Sequence, residues 1–411
     1  MKCRSWRRRS RAQKNADGTR ETMMEERKRL EFADRAKGIG ILMVVFSHLS
    51  SMTGFGNALW TWYNPFMLTM FFMIAGGMRR YRGTPMILRR RARGLLLPYF
   101  VFDFLALGLQ TVLAYWRGGT PEAMLKLQTG LVRIVTFQGL GPDWFLPALF
   151  LAEILLELSL RAGGKHGPGK HTSGAQDAGT PVSGGLPAGM QGLPVPAAAL
   201  LIISVITVFY FGGDRLAAAG PFRFVIVKGL AAAGFLVLGY ALLPAARKIL
   251  ALSPGDSRVL TWVFAAASFA GTLLIAGRYN LDFNQLDFGS RPLFLYFDAL
   301  FGTCFVLCIS RIPDLTGRPP AAPGFLQVFG RESLTIMCTH LEWQIVPIVH
   351  LGWASVAGLA AGEGKRFYAE ILVRLCLVMA AELGLIPVLH SLFPWLYRKN
   401  HSGNAPRQMV S

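Results

Sequence analysis

A chain that alternates long apolar runs with short basic gaps about ten times over can fold in few ways. Inside hydrocarbon every backbone N–H and C=O must be satisfied within the protein, so such runs cross as helices. Composition agrees: 52% of residues are hydrophobic, 16% are charged and mean hydropathy is +0.39, whereas a soluble domain carries about 25% charged residues. The sequence therefore predicts an all-α fold, a polytopic membrane helix bundle of about ten transmembrane helices. These fall near 36–53, 59–78, 95–116, 143–160, 197–211, 222–243, 259–276, 293–309, 326–351 and 367–393. The stretch 117–142 reads as a mixed, weakly apolar connection.

The formal net charge of +20 would suggest nucleic acid if it formed one face. It does not. Arginine and lysine concentrate in every second gap, at 79–93, 162–196, 244–258, 310–325 and beyond 394, and are sparse in the gaps between. That asymmetry is the positive-inside pattern and predicts both termini in the cytoplasm. A basic surface of this kind attracts membrane lipids and anionic ligands, and no nucleic-acid partner is expected. Residues 1–30 form a basic cytoplasmic arm, 31–395 the transmembrane domain, 162–196 a flexible low-complexity loop within it, and 396–411 a cytoplasmic tail. The cysteines Cys3, Cys304, Cys308, Cys338 and Cys376 form no CxxC and read as small apolar packers. No metal-spaced Cys/His set, P-loop, GxSxG or HExxH occurs.

The densest chemistry lies in EFADRAKGIGILMVVFSHLSSMT, residues 31–53. It starts charged, turns apolar at Gly38, and then carries one histidine, His48, into the apolar run. By helical rise His48 lies roughly 16 Å beyond Lys37, near the middle of a hydrocarbon core about 30 Å thick. At 100° per residue Asp34, Lys37, Ile41, Val44 and His48 share one narrow stripe, which should face the bundle. An ionisable group at that depth is a functional-site hypothesis, set against simple helix-to-helix hydrogen bonding. Asp103, Asp298 and Glu382 also fall inside apolar runs, where pairing with Lys228, Arg374 or a helix end is expected.

Five pieces in order resemble a known family. Asp34-Arg-Ala-Lys37-Gly38-Ile-Gly40 running on to Ser47-His48 resembles the first helix of the acyltransferase 3 membrane proteins, most closely their fucose 4-O-acetylase-like branch. PFMLTMFFMIAGGM (65–78), RRRARGLLLPYF (89–100), DWFLPALFLAEIL (143–155) and FGRESLTIMCTHLEW (329–343) resemble later spans of the same family.

The resemblance implies an O-acetyltransferase that moves an acetyl group from acetyl-CoA to a hydroxyl of a cell-surface glycan or lipid-linked saccharide. It also implies location in a bacterial cell membrane. No bound cofactor or metal is expected, since acetyl-CoA is the acyl donor substrate. A sugar hydroxyl is a weak nucleophile and a near-neutral histidine can take its proton. His48 is accordingly the expected general base, or a transient acyl carrier. Arg89, Arg90 and Arg93 form either a clamp for the phosphates of coenzyme A or a positive-inside anchor. Lys37 serves the same mouth or anchors its helix. Trp144 lines the acyl path or belongs to an interfacial aromatic belt. His340 takes a site role or packs helices. Asp34 lies roughly 21 Å down the helix from His48, too far to orient it. Asn284 stands in the polar stretch 278–291, whose composition suits sugar recognition or turn chemistry. The alternative from another class is a multi-span glycan or lipid transporter or flippase without acyl transfer.

Overall fold

A computed structural model describes residues 31–50, 58–78, 86–163, 193–211, 221–250, 254–276, 278, 282–284, 291–315, 324–357 and 365–397. The basic arm 1–30, most of the 162–196 loop and the tail beyond 397 lie outside the described residues. The described residues are mainly helical: α1 (residues 31–50), α2 (Ala58–Met67), α3 (Thr69–Gly77), α4 (Met86–Arg91), a π-helical segment (Ala92–Leu96) and α5 (Leu97–Val135). A short 3-10 turn (Gly141–Trp144) leads into α6 (Phe145–Ala162), then α7 (Val195–Phe211), α8 (Pro221–Leu250), α9 (Pro254–Ile275) and α10 (Leu293–Leu315). The described residues finish with α11 (Phe325–Arg331), α12 (Ser333–Thr339), α13 (Ile345–Ala357), α14 (Lys365–Leu392) and α15 (Pro394–Tyr397). Among the described residues five helical stretches are long and apolar enough to cross a membrane, and α7 and α13 are shorter apolar helices. The protein is a polytopic membrane helix bundle.

Helix α8 is the hub, packed on α3, α6 and α7. Its run Ala231, Ala232, Ala233 is fully buried, because small side chains let helices approach where lipid supplies no hydrophobic drive between them. Gly76 of α3 and Gly239 of α8 carry this furthest. A Cβ on either would collide with backbone of the opposite helix, at Leu236 and Met73 respectively. Helices α9 and α10 pack on each other, and α10 meets α2.

Two sequence expectations need correction. The connection 117–142 is largely helical. Helix α5 reverses at Gly119, whose φ of 71° and ψ of −162° few residues but glycine adopt. Its second half then folds back on the first. Gly130 leaves room for Leu107, and the Tyr99 hydroxyl donates to the Ile134 carbonyl at 2.9 Å. The DWF sequence of 143–145 is therefore delivered beside Tyr99 and Asp103, inside the bundle. The expected single span 326–351 is also broken. It stops at Glu332, restarts as α12, and turns again over 340–344, where Gln344 has φ 65°.

Candidate functional site: a histidine pair above a cation-rimmed cavity

Helix α1 lies against α3 and α11. Gly40 meets Met70 and Phe71, while Gly38 and Gly330 let backbone touch backbone at Leu326 and Asp34. The predicted stripe does face inward: Ile41 and Val44 are buried, and Asp34, Lys37 and His48 are half-buried. His48 reaches His340, the two imidazole centroids standing 5.2 Å apart at an interplanar angle of 45°. The break after α12 makes this possible, since it leaves His340 at the end of a helix turned into the bundle.

His340 is fully buried, and its Nδ1 lies 2.6 Å from the Ile336 carbonyl. A carbonyl only accepts, so Nδ1 carries the proton and Nε2 presents a lone pair. That Nε2 has no hydrogen-bond partner among the described residues. Below it Thr339 Oγ1 donates to Glu382 Oε2 at 2.8 Å, and Thr335 Oγ1 stands 3.3 Å from the Tyr397 hydroxyl. His390 Nε2 bonds Glu332 Oε2 at 3.2 Å at the α11–α12 break. Helices α14 and α15 thus hold α12, and with it His340, in place. Glu382 and Arg374 do not pair as expected. The Arg374 guanidinium donates instead to His350 Nδ1 at 3.1 Å and to the Glu370 carbonyl.

A cavity of about 320 Å³ opens at the charged end of α1. Asp34, Lys37 and Arg331 form its polar rim, and Phe71, Ile74, Leu95, Phe145 and Met337 are among its apolar walls. Lys37 Nζ contacts Asp34 Oδ1 at 2.8 Å, and Arg331 Nε approaches Asp34 Oδ2 at 3.4 Å. Neither histidine lines the cavity; Met337 of its wall precedes His340 by one helical turn. Arg331 was not singled out by sequence, although it sits in the FGRESL piece beside Gly330. Its partner Asp34 is 297 positions away.

Arg89, Arg90 and Arg93 are exposed, on α4 and the π segment, and none lines the cavity. The neighbouring Arg91 is committed elsewhere, its Nε 3.1 Å from the buried Glu153. The π turn itself follows from Pro98, whose ring would clash with the carbonyl four residues back in a regular helix. The Leu97 N–H bonds Ala92 O, five residues back, and Leu95 from this segment lines the cavity. Pi-helical insertions of this kind cluster at functional sites.

Trp144 does not belong to an interfacial belt; only 4% of its surface is exposed. It meets Asn284 through Lys228. Lys228 Nζ stands 3.4 Å from the Trp144 ring centroid and 4.2 Å from that of Phe224, and donates to Asn284 Oδ1 at 3.0 Å. Lys228 was expected to neutralise Asp103, Asp298 or Glu382 and does not. Asp103 instead accepts from the Leu140 N–H at 3.4 Å. Asp143, fully buried, faces Asp103 and the Cys338 thiol. The segment 143–144 thus touches the α12 that carries the histidine on one side and Lys228 on the other. Among the described residues no group of three metal-ligating side chains converges.

A family model described as an acyltransferase domain matches residues 30–381. The chain belongs to the acyltransferase 3 family. No curated protein and no solved structure matches it. The match spans α1 through most of α14, so the histidine pair, the cavity and Lys228 all lie within the acyltransferase domain. As a member of this family the protein is a membrane acyltransferase.

Proposed function

We propose that the protein transfers an acetyl group from acetyl-CoA to a hydroxyl of a cell-surface glycan or lipid-linked sugar in a bacterial cell membrane. The observation that carries this reading is the His48–His340 contact at 5.2 Å, with a buried lone pair on His340 Nε2. Acyl transfer needs a group that removes a hydroxyl proton as the carbonyl carbon is attacked. His48 takes that proton, the new C–O bond forms, the thioester C–S bond breaks, and the proton passes to the departing thiolate. His340 holds the acceptor hydroxyl or the His48 ring through its Nε2.

The donor enters from the cytoplasmic end, by the positive-inside bias. Arg89, Arg90 and Arg93 remain available there as phosphate ligands, since none of them is paired with a described residue. The Trp144–Lys228–Asn284 cluster stands as the acceptor side, an aromatic face and an amide of the kind that hold a sugar. Acceptors of the fucose 4-O-acetylase-like kind fit this reading. Membership of an acyltransferase family favours it over the transporter alternative, which has no observation of its own.

The test is transfer of radiolabel from acetyl-CoA into glycan or lipid by membranes expressing the wild type, His48→Ala or Arg90→Ala/Arg93→Ala. Label with wild type that disappears with His48→Ala supports the reading. Label that persists with His48→Ala removes the base from it, and substrate movement without acetyl-CoA favours the transporter.

A further inference from the structure

The rim of the cavity holds two cations and one carboxylate. Lys37 comes from α1 and Arg331 from α11, and both bond Asp34. The carboxylate is the sheltered member, with a side-chain exposure of 15% against 30% for Lys37 and 48% for Arg331. One negative charge serves two positive ones, so the rim keeps a net positive charge. Arg331 reaches Asp34 only through Nε at 3.4 Å, and its two Nη groups bond no described residue. The edge of the guanidinium that suits bidentate phosphate contact is therefore open.

The two cations are preset. Backbone contact at Gly38–Leu326 and Gly330–Asp34 fixes α1 against α11, so neither helix need slide for an anion to bridge Lys37 and Arg331. Among the described residues the Asp34 side chain holds both cations, and a phosphate that takes its place need only turn that carboxylate aside. Behind the rim the walls are apolar as far as Met337. His48 lies a further 11 positions along α1 from Lys37, roughly 16 Å by helical rise. A phosphate at the rim, an extended arm along apolar walls and an acyl group at the histidines is the layout of a phosphopantetheine thioester.

We propose that Lys37 and Arg331 form a phosphate seat for the acyl donor, and that Asp34 is a resident anion which that phosphate displaces. The proposal rests on the acyl-CoA reading above and adds Arg331 and the Asp34 latch to it. An arriving phosphate takes over from Asp34 the contacts to Lys37 and Arg331 and adds the open Nη edge of Arg331, so the latch offsets part of the rim's charge until donor binds.

The test is calorimetric titration of CoA and of pantetheine, which lacks the phosphates, into full-length protein in nanodiscs made with and without anionic lipid. Thermal midpoints report folding of each variant. Asp34→Asn should tighten CoA several-fold and leave pantetheine unchanged. Arg331→Ala and Arg331→Gln should weaken CoA at least tenfold and leave pantetheine unchanged. CoA affinity indifferent to both Arg331 variants overturns the seat, and CoA weakened by Asp34→Asn at an unaltered midpoint overturns the latch. An Arg331 effect seen only with anionic lipid assigns the seat to lipid headgroups and also overturns the proposal. Wild type that binds neither CoA nor acetyl-CoA overturns the donor reading itself, a result distinct from the others.

Discussion

The histidine contact makes a quantitative prediction that a double-mutant cycle can check. Rings whose centroids stand 5.2 Å apart either bring nitrogens to hydrogen-bond reach of one hydroxyl or hold it through one water. A general base contributes about 10²–10⁴-fold, or roughly 2.7–5.4 kcal/mol at about 1.36 kcal/mol per decade. His48→Ala should lose that much in the transfer rate. His340→Ala removes a ring anchored by one hydrogen bond, to Ile336, and should lose about 10–10²-fold as a positioning group. If the rings act on the same proton, the double variant should fall little below His48→Ala alone, a coupling of at least about 1.4 kcal/mol. The assay is the initial rate of label transfer from acetyl-CoA by purified protein, with CoA affinity and thermal midpoint measured on each variant. Rates that multiply in the double variant, at unchanged CoA affinity and midpoint, would refute the joint action of the two histidines.

Other substitutions separate structural from functional charge. Arg91→Ala removes one ion-pair contact of the buried Glu153 and should destabilise by about 1–3 kcal/mol, between the exposed and buried limits for an ion pair; Arg90→Ala/Arg93→Ala should leave the thermal midpoint alone and weaken CoA binding by calorimetry. Gly330→Ala places a methyl against the Asp34 carbonyl and should cost about 1–3 kcal/mol as overpacking, read as a lower midpoint and early loss of monodisperse protein on size exclusion. Thr339→Val leaves Glu382 without its hydroxyl donor and should cost about 1–3 kcal/mol, whereas Thr339→Ser should restore the midpoint. Lys228→Met abolishes the Trp144 and Asn284 contacts and should raise the acceptor KM about tenfold while CoA affinity holds, as measured by steady-state kinetics against calorimetry.

Periodicity tells which way a residue faces and says nothing of what it meets. The stripe Asp34–Lys37–Ile41–Val44–His48 was legible because 100° per residue fixes one face, and that face is the buried one. The FGRESL piece was legible as a motif, yet Arg331 was not legible as the partner of Asp34, because the pairing joins opposite ends of the domain. Lys228 failed for a related reason. A lone lysine in an apolar run demands compensation, and the nearest guess is a carboxylate of another apolar run; here an amide, two aromatic faces and Asp282, two residues before that amide, supply it. The fold-back of α5 was hidden because TPEAMLKLQTGLVRIV carries enough charge to pass for a loop, while its Gly130 notch for Leu107 shows only in three dimensions. The breaks in 326–351 escaped because neither Glu332 nor Gln344 is a glycine or proline, the usual punctuation of a helix.

Those breaks carry their own chemistry. Non-helical backbone at membrane depth is tolerated only where protein or a cavity satisfies it. Helix α5 does this with one face: Tyr99, Asp103 and Gln110 lie within a narrow arc at 100° per residue. The Tyr99 hydroxyl serves Ile134 O and takes the Gly139 N–H, Asp103 takes the Leu140 N–H, and Gln110 Nε2 serves the Glu342 carbonyl. Polar residues that would be a liability in an apolar span are thereby assigned to mending the 134–140 and 340–344 breaks. This gives Asp103 a structural role that needs neither Lys228 nor Arg374. The same reasoning singles out His340. Its Nδ1 mends nothing that the helix does not already satisfy, since the Ile336 carbonyl also takes the His340 backbone N–H at 3.1 Å. Burying an imidazole whose Nε2 bonds no described residue is unfavourable by the desolvation of that nitrogen. The fold accepts it beside His48 and one helical turn from Met337 of the cavity wall, and the acyl transfer proposed above would use that lone pair.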